Sequence, residues 1–159
     1  MAGKNPTVPH DFGVLLNLAF AAFKVDLHAA LAKAGFDDVG PSFGYVFRML
    51  EATPLTASDL AQALGMTVPG ALKIVNDMVA KGYVERLDSD GDARRKPLDL
   101  TPRARAAMRA AHAFHARYEQ SLAARVGPKQ AQAARRLLEA IVDESDQRAG
   151  RRSSLPRPI

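Results

Sequence analysis

Apolar residues recur at helical spacing in six stretches of the chain, and polar or glycine-containing breaks separate these stretches. Apolar positions three and four residues apart are typical of an amphipathic helix. The pattern therefore predicts helices over residues 11–33, 43–52, 56–64, 68–81, 102–126 and 128–146.

A different pattern fills the gap between the fourth and fifth helices. Two short runs, Tyr83–Leu87 and Pro97–Thr101, have strand character and flank the sequence SDGDARRK, whose small and charged residues favour a turn. The order helix, turn, helix, strand, loop, strand predicts a winged helix-turn-helix over residues 42–101. The expected fold is mainly α with a small β-hairpin wing.

Start and stop signals support these boundaries. Thr56 with Asp59 three residues later forms a capping-box pattern, and Ser42 is expected to cap the second helix. Gly65 and Gly82 follow the third and fourth helices, where a residue without a Cβ is favoured.

The first, fifth and sixth helices lie outside the winged unit and are predicted to form a dimerisation stem. Two apolar stripes mark the first helix: Leu16, Phe20, Phe23, Leu27 and Leu31 on one side, and Leu15, Leu18, Ala22 and Val25 on another. A helix that is apolar on two sides needs cover on two sides, which a second subunit or the chain's own helices could provide. The fifth and sixth helices carry Met108, Ala111, His115, Tyr118 and Leu122, and then Leu137, Leu138, Ile141 and Val142.

Composition fits one folded domain over residues 11–147, between a loose arm at 1–10 and a basic tail at 148–159. The 159 residues are 47% hydrophobic, which is enough for a substantial core, and the absence of cysteine excludes disulfides and thiolate chemistry. The net charge is +5, but the tail alone holds four arginines, so the remainder is nearly neutral. The position of the cations is therefore more informative than their total.

The apolar run VLLNLAFAAFKV is the one stretch that invites a membrane interpretation. Asn17, Lys24 and Asp26 interrupt it, and we judge it shorter than the roughly 20 apolar residues that a membrane span requires. We expect a soluble helix and a cytoplasmic protein.

The fourth helix begins TVPGALK and is the expected DNA-recognition helix. Thr67 can contact a phosphate or a base, and Lys73 lies on the exposed face. Val68 and Gly70 have no hydrogen-bonding side chains, so DNA shape and thymine methyl groups would carry more of the specificity. The alternative is a winged-helix protein interaction module that does not bind DNA.

The predicted wing places three cations together, Arg94, Arg95 and Lys96. An arginine at a hairpin tip can enter a narrow minor groove, where the electrostatic potential is most negative. Asp92 is two residues from Arg94 and could orient its guanidinium group. A solvated charged turn is the alternative.

The segments LAQALG, MVAKGYVERL and DSDGDARRKPLDLT, in this order, resemble the MarR family of bacterial transcriptional regulators, from about Asp11 to Asp146. Asp92, Arg94 and Lys96 match the family's wing pattern. The resemblance implies a homodimeric repressor that binds a pseudo-palindromic double-stranded DNA operator and is released by a small ligand. Ala93, where many members carry arginine, and the apolar Val68 and Gly70 depart from the family pattern.

The resemblance also implies a ligand site between the stem and the DNA-binding lobe. The candidates form an aromatic lining with a few polar groups, suited to a small aromatic or lipophilic acid: Phe20, Phe23, His28, Phe43, Phe47, Arg48 and His115. Ordinary core and dimer packing is the alternative for these residues.

Other chemistries fit poorly. The acidic run Asp88–Asp92 has Ala93 where a calcium loop requires glycine, and His112, His115 and Glu119 lack a fourth ligand for a metal. We find no pattern of catalytic residues, and we expect neither enzymatic activity nor a cofactor.

Overall fold

A computed structural model describes residues 11–87 and 96–148 of the chain. Its elements are α1 (Phe12–Lys33), α2 (Phe43–Ala52), α3 (Ala57–Leu64), α4 (Val68–Ala80), β1 (Val84–Arg86), β2 (Leu98–Leu100), α5 (Pro102–Val126) and α6 (Pro128–Arg148). The predicted fold, mainly helical with a small two-stranded wing, is confirmed. The predicted arm, most of the predicted tail and the wing tip with Asp92, Arg94 and Arg95 lie outside the described residues.

The core lies where α2, α3 and α4 meet the small sheet and the first turns of α5. Each of these elements contributes apolar side chains from one face, as the spacing of the sequence predicts. The most deeply buried large residues are Tyr83, Leu50, Leu60, Met78, Leu98, Val46, Val75 and Val84.

Local hydrogen bonds fix the start of α3. The Asp59 backbone N–H donates to the Thr56 hydroxyl at 3.2 Å, and the Thr56 N–H donates to the Asp59 carboxylate at 2.9 Å, which is the predicted capping box. The Thr56 hydroxyl also donates to this carboxylate and holds the pKa of Asp59 below its usual value. Gly65 then ends α3 in the left-handed conformation, at a φ of 66°.

The predicted cap of α2 is wrong. Ser42 is itself in the helical conformation, and its side chain makes no capping hydrogen bond. The chain turns one step earlier, because the Phe43 N–H already donates to the Gly40 carbonyl at 3.1 Å. The boundaries of α2 nevertheless agree with the prediction.

β1 and β2 pair antiparallel, with Val84 opposite Leu100 and Arg86 opposite Leu98. Backbone hydrogen bonds continue the pairing on both sides, from Leu87 N to Pro97 O at 2.8 Å and from Thr101 N to Tyr83 O at 3.1 Å. Leu55 adds a third, single-residue bridge to Leu98, which the sequence pattern did not indicate.

α1 packs along α5 through aromatic contacts. The Phe23 ring lies 5.6 Å from that of Phe114 and 5.2 Å from that of Tyr118, measured between centroids. Phe114 is buried although it is absent from the predicted stripe of α5, whereas Leu122 of that stripe is 39% exposed. Which face of α5 is buried therefore depends on where α1 packs across it, and this is set by the tertiary structure.

Much of the apolar surface of the stem remains uncovered. Within α1 only Leu31 is buried. The four apolar residues that the sequence pattern identifies on α6 are between 37% and 50% exposed: Leu137, Leu138, Ile141 and Val142.

The helix Phe12–Lys33 is also long and apolar enough to cross a membrane, with a mean hydropathy of 1.5 in its most apolar window. The sequence-based judgement that this run is too short is therefore wrong on length and composition. One such helix is weak support for a span, since packing helices of soluble proteins have the same composition. α1 contacts the aromatic rings of α5 through Phe23.

Candidate nucleic-acid interface and effector cavity

The N-terminal turn of α4 is open to solvent on one face. Thr67 is the N-cap, its hydroxyl accepts the Gly70 N–H at 3.3 Å, and its side chain is exposed. Lys73 is exposed as well, and Val68 and Gly70 are half-buried. Ala71 and the residues one and two turns later face the core, so the helix is anchored on one side and free on the other.

Gly70 has a local structural role. A Cβ at this position would lie 3.2 Å from the Thr67 hydroxyl oxygen, which is closer than most such contacts. The absence of a side chain at Gly70 therefore accommodates the N-cap.

The base of the wing is tied to α4 by a side-chain hydrogen bond. Arg86 of β1 donates to the Asn76 side-chain oxygen at 2.6 Å. Lys96 is half-buried. The sequence analysis assigned no role to Arg86, because a hydrogen bond between two separate elements cannot be recognised from the local spacing of residues.

A cavity of about 200 Å³ lies between α1, the loop that follows it, α2 and α5. Six of the seven predicted ligand-binding residues line it: Phe20, Phe23, His28, Phe47, Arg48 and His115. Phe43 does not. Its ring is buried against those of Phe47 and Tyr83, at centroid distances of 6.2 and 5.7 Å, because the first turn of α2 faces the core.

Apart from the hydroxyl of Tyr45, the polar side-chain groups on the cavity wall carry nitrogen. The sequence analysis missed Lys24 and His112, which line the cavity together with His28, Arg48 and His115. Among the described residues of this lining, none is acidic. The Lys24 ammonium group lies 4.8 Å from the Phe20 ring centre. The two residues are four positions apart, which is about one helical turn, so the sequence could have revealed their contact. The wall combines aromatic surface with cations, which suits an apolar anion.

The surroundings of His115 shift the pKa of its imidazole. Burial lowers its pKa below 6.5, and the nearby positive charges of Arg48 and His112 lower it further. Its ring stacks on Phe23 at 5.4 Å. Since the folded protein binds this proton more weakly than the unfolded chain, stability contributed by neutral His115 is present above about pH 6.5 and declines as the pH falls below it.

A second, more open cavity of about 850 Å³ lies between α5 and α6 and shares Phe23 and His115 with the first. An ion pair between Arg135 and Glu119, at 2.6 Å, joins the two helices beside it. Within residues 11–87 and 96–148, no group of His, Asp or Glu side chains has the arrangement of a metal site.

Comparison with known proteins agrees with this geometry. A model of the MarR family matches residues 39–95, from the rim of the cavity to the wing loop. Solved structures of MarR-family regulators share the fold over more than four-fifths of the chain. Over the winged unit the chain is therefore similar to the MarR family.

Three solved structures illustrate this MarR-family fold. The transcriptional repressor CouR, bound to a 23-mer DNA duplex, is 24% identical with a TM-score of 0.67, and the match covers 89% of this chain and 99% of CouR. The Mycobacterium tuberculosis MarR family protein Rv2887, in complex with salicylic acid, is 26% identical with a TM-score of 0.58, covering 84% and 98%. Staphylococcus aureus MepR in its DNA complex is 20% identical with a TM-score of 0.62, covering 84% and 98%. No curated protein matches the sequence significantly.

We predict that the His115 imidazole titrates below pH 6.5 and that Arg48→Gln raises its midpoint, because the arginine charge disfavours protonation. The measurement is an NMR pH titration of the His115 ring, assigned with His115→Asn. Arg117→Gln, which changes an exposed arginine of α5, is the matched control and should leave the midpoint unchanged. A midpoint at or above 6.5, or equal shifts in both variants, would contradict the described cavity wall.

Proposed function

We propose that this chain is a member of the MarR family and a homodimeric, DNA-binding transcriptional repressor whose operator affinity is modulated by a small aromatic or lipophilic acid. The proposal rests chiefly on α4. The first turn of this helix is exposed, while its opposite face packs against the core. A hydrogen bond from Arg86 to Asn76 joins the helix to the base of the wing. MarR-family proteins are transcription regulators, and we propose no catalytic activity and a cytoplasmic location.

The exposed start of α4 has the properties of a major-groove reader. Thr67 and Lys73 offer a hydroxyl group and a cation to phosphates or base edges, while Val68 and Gly70 allow close contact with thymine methyl groups. The wing sequence supplies Arg94, Arg95 and Lys96 for the adjacent minor groove, with Asp92 as the partner of Arg94. CouR and MepR, which share this fold, form DNA complexes, and this supports DNA binding by the present chain.

A second copy of the chain would cover the uncovered stem. α1 exposes large apolar side chains between Phe12 and Val25, and α6 does so between Leu137 and Val142, whereas the winged unit is well buried. Two recognition helices related by a two-fold axis match an operator with two-fold symmetry. We therefore propose that the stem is the dimer interface and that the operator is a pseudo-palindrome.

The cavity supports an acidic effector. Its aromatic wall suits a ring, and its nitrogen-bearing side chains suit a carboxylate. The complex of Rv2887 with salicylic acid supports this chemical class. The alternative, a winged-helix protein interaction module that does not bind DNA, finds no support among these relatives.

Selection of bound duplexes from a random pool should enrich an inverted repeat. On that duplex, Arg94→Ala should weaken binding by roughly 1–3 kcal/mol, the usual scale of a good groove contact, and Lys73→Ala should weaken it too. Fluorescence anisotropy at several salt concentrations measures both, with Arg117→Ala as the control for loss of one positive charge. Binding that is insensitive to salt and to both substitutions would favour the protein interaction module.

Leu138→Arg should dissociate the dimer, because an arginine buried without a partner at an interface costs roughly 3–5 kcal/mol. Sedimentation equilibrium gives the association constant, and circular dichroism checks that helix content is retained. Gln62→Arg introduces the same charge on exposed α3 and should leave the dimer intact. A Leu138→Arg variant that remains dimeric would remove this part of α6 from the interface.

Arg48→Gln should weaken salicylate binding roughly tenfold to a hundredfold, since a hydrogen bond to a charged group contributes about 1.5–3 kcal/mol. Isothermal titration calorimetry at pH 7.5 measures the affinity. Arg117→Gln is again the charge-matched control. If the parent binds salicylate and Arg48→Gln binds it equally well, Arg48 is not the partner of the carboxylate.

A further inference from the structure

Three side chains from separate elements meet beside the cavity: Asp38 in the loop between α1 and α2, Tyr83 just before β1, and Arg103 in the first turn of α5. The Tyr83 hydroxyl donates to an Asp38 carboxylate oxygen at 2.5 Å. Arg103 donates to both oxygens of the same carboxylate at 3.0 and 3.1 Å, and its guanidinium group lies 4.8 Å from the Tyr83 ring centre. We refer to this arrangement as the Asp38 junction.

One side of the junction belongs to the cavity. Val39, Gly40 and Pro41, which immediately follow Asp38, all line the cavity. The Tyr83 ring makes a second contact with the same wall, since its centroid lies 5.7 Å from that of the lining residue Phe47. An occupant that displaces this rim of the cavity must therefore move Asp38 or strain its hydrogen bonds.

The other side of the junction belongs to the DNA-binding unit. The Tyr83 N–H donates to the Met78 carbonyl in the last turns of α4 at 2.8 Å. Its carbonyl accepts the Thr101 N–H, which closes the base of the wing, at 3.1 Å. Tyr83 is fully buried, so its backbone and its ring cannot move independently of these neighbours.

The charges of the junction favour one arrangement at neutral pH. The hydrogen bond from Tyr83, together with those from Arg103, lowers the pKa of Asp38, so its carboxylate is available as an acceptor. Burial raises the pKa of Tyr83, so its hydroxyl keeps the proton that it donates. The bond between them thus persists across the physiological pH range unless the loop moves.

We propose that the Asp38 junction transmits occupation of the cavity to the base of the wing and the end of the recognition helix, with Asp38 and Tyr83 as the positioning residues. The inference rests on the proposed function only in taking the cavity as the effector site. Neither residue needs to contact the effector or the DNA.

A covalent occupant tests this without knowledge of the natural effector. Gly44 lines the cavity, and a Cβ built there has no atom within 4 Å. Since the chain has no cysteine, Gly44→Cys supplies its sole thiol. Benzyl methanethiosulfonate then attaches a benzylthio group inside the cavity, and a reductant removes it from the same sample.

The readout is amide hydrogen exchange at Leu87 and Thr101, whose N–H groups close the two ends of the wing base. Attachment of the benzylthio group to Gly44→Cys should change their exchange rates by roughly fivefold or more, the lower range of measured couplings between sites. Reduction should restore the original rates. In the same background, Tyr83→Phe, which removes only the hydroxyl oxygen, and Asp38→Asn should abolish most of the response.

Two matched controls isolate the junction. Asp99→Asn makes the same change of charge in another carboxylate–arginine pair. Asp99 and Arg105 lie 3.3 Å apart and join β2 to α5 without contacting the cavity rim. This substitution should leave the response intact. Ala52→Cys places the label on an exposed position of α2 outside the cavity lining and should produce no response.

Several outcomes would overturn the proposal: no response in Gly44→Cys, an equal response in Ala52→Cys, or a full response that persists in Tyr83→Phe and Asp38→Asn. Thermal unfolding of each variant shows whether it is folded, and Tyr83→Phe retains the ring that packs in the core. Because hydrogen exchange requires no DNA, failure of the junction is distinguishable from failure of operator binding, which the duplex selection measures separately.

Discussion

The burial of the Tyr83 side chain is the constraint on which the DNA-binding unit depends. Its ring packs against Phe43 and Phe47 of α2, its backbone bonds to α4 and to the start of α5, and its hydroxyl reaches the loop after α1. A buried aromatic side chain contributes a large apolar area, and a buried hydroxyl requires a partner. Asp38 satisfies this requirement, so one residue determines how the helices, wing and cavity rim are placed together.

The stem differs from the winged unit, because a single chain buries little of its apolar surface. α1 has one buried residue, and the apolar side chains of α6 remain half-exposed. Surfaces of this kind are stable when a partner covers them, and the stability of such proteins depends on subunit concentration. A single chain therefore completes the hydrophobic core of the winged unit, whereas two chains would together form the core of the stem.

The recognition helix combines firm placement with few specific donors. Gly70 accommodates the Thr67 cap at its start, and Lys73 is the cation that its first turns expose. Arg86 holds the wing base beside the helix through Asn76. A reader of this type would rely on the width and flexibility of the DNA and on the wing cations more than on hydrogen bonds to bases.

The sequence by itself determined the features that depend on near neighbours. Helix spacing, the Thr56 and Asp59 capping box, Gly65 and the two wing strands were correctly predicted, because a few consecutive residues specify them. Six of the seven predicted ligand-binding residues do line the cavity, although they were predicted through family resemblance rather than spacing. The cap assigned to Ser42 failed because the turn begins earlier, at Gly40.

Only the tertiary structure decided which residues meet across elements. It buried Phe43 in the core instead of placing it in the cavity, selected Phe114 as the buried face of α5, and brought Lys24 and His112 to the cavity wall. It also joined Asp38, Tyr83 and Arg103, which are up to 65 positions apart in the chain. Local periodicity defines which face of a helix is apolar. The neighbour that packs on this face depends on how elements distant in the sequence come together, and such contacts cannot be predicted from the spacing of residues.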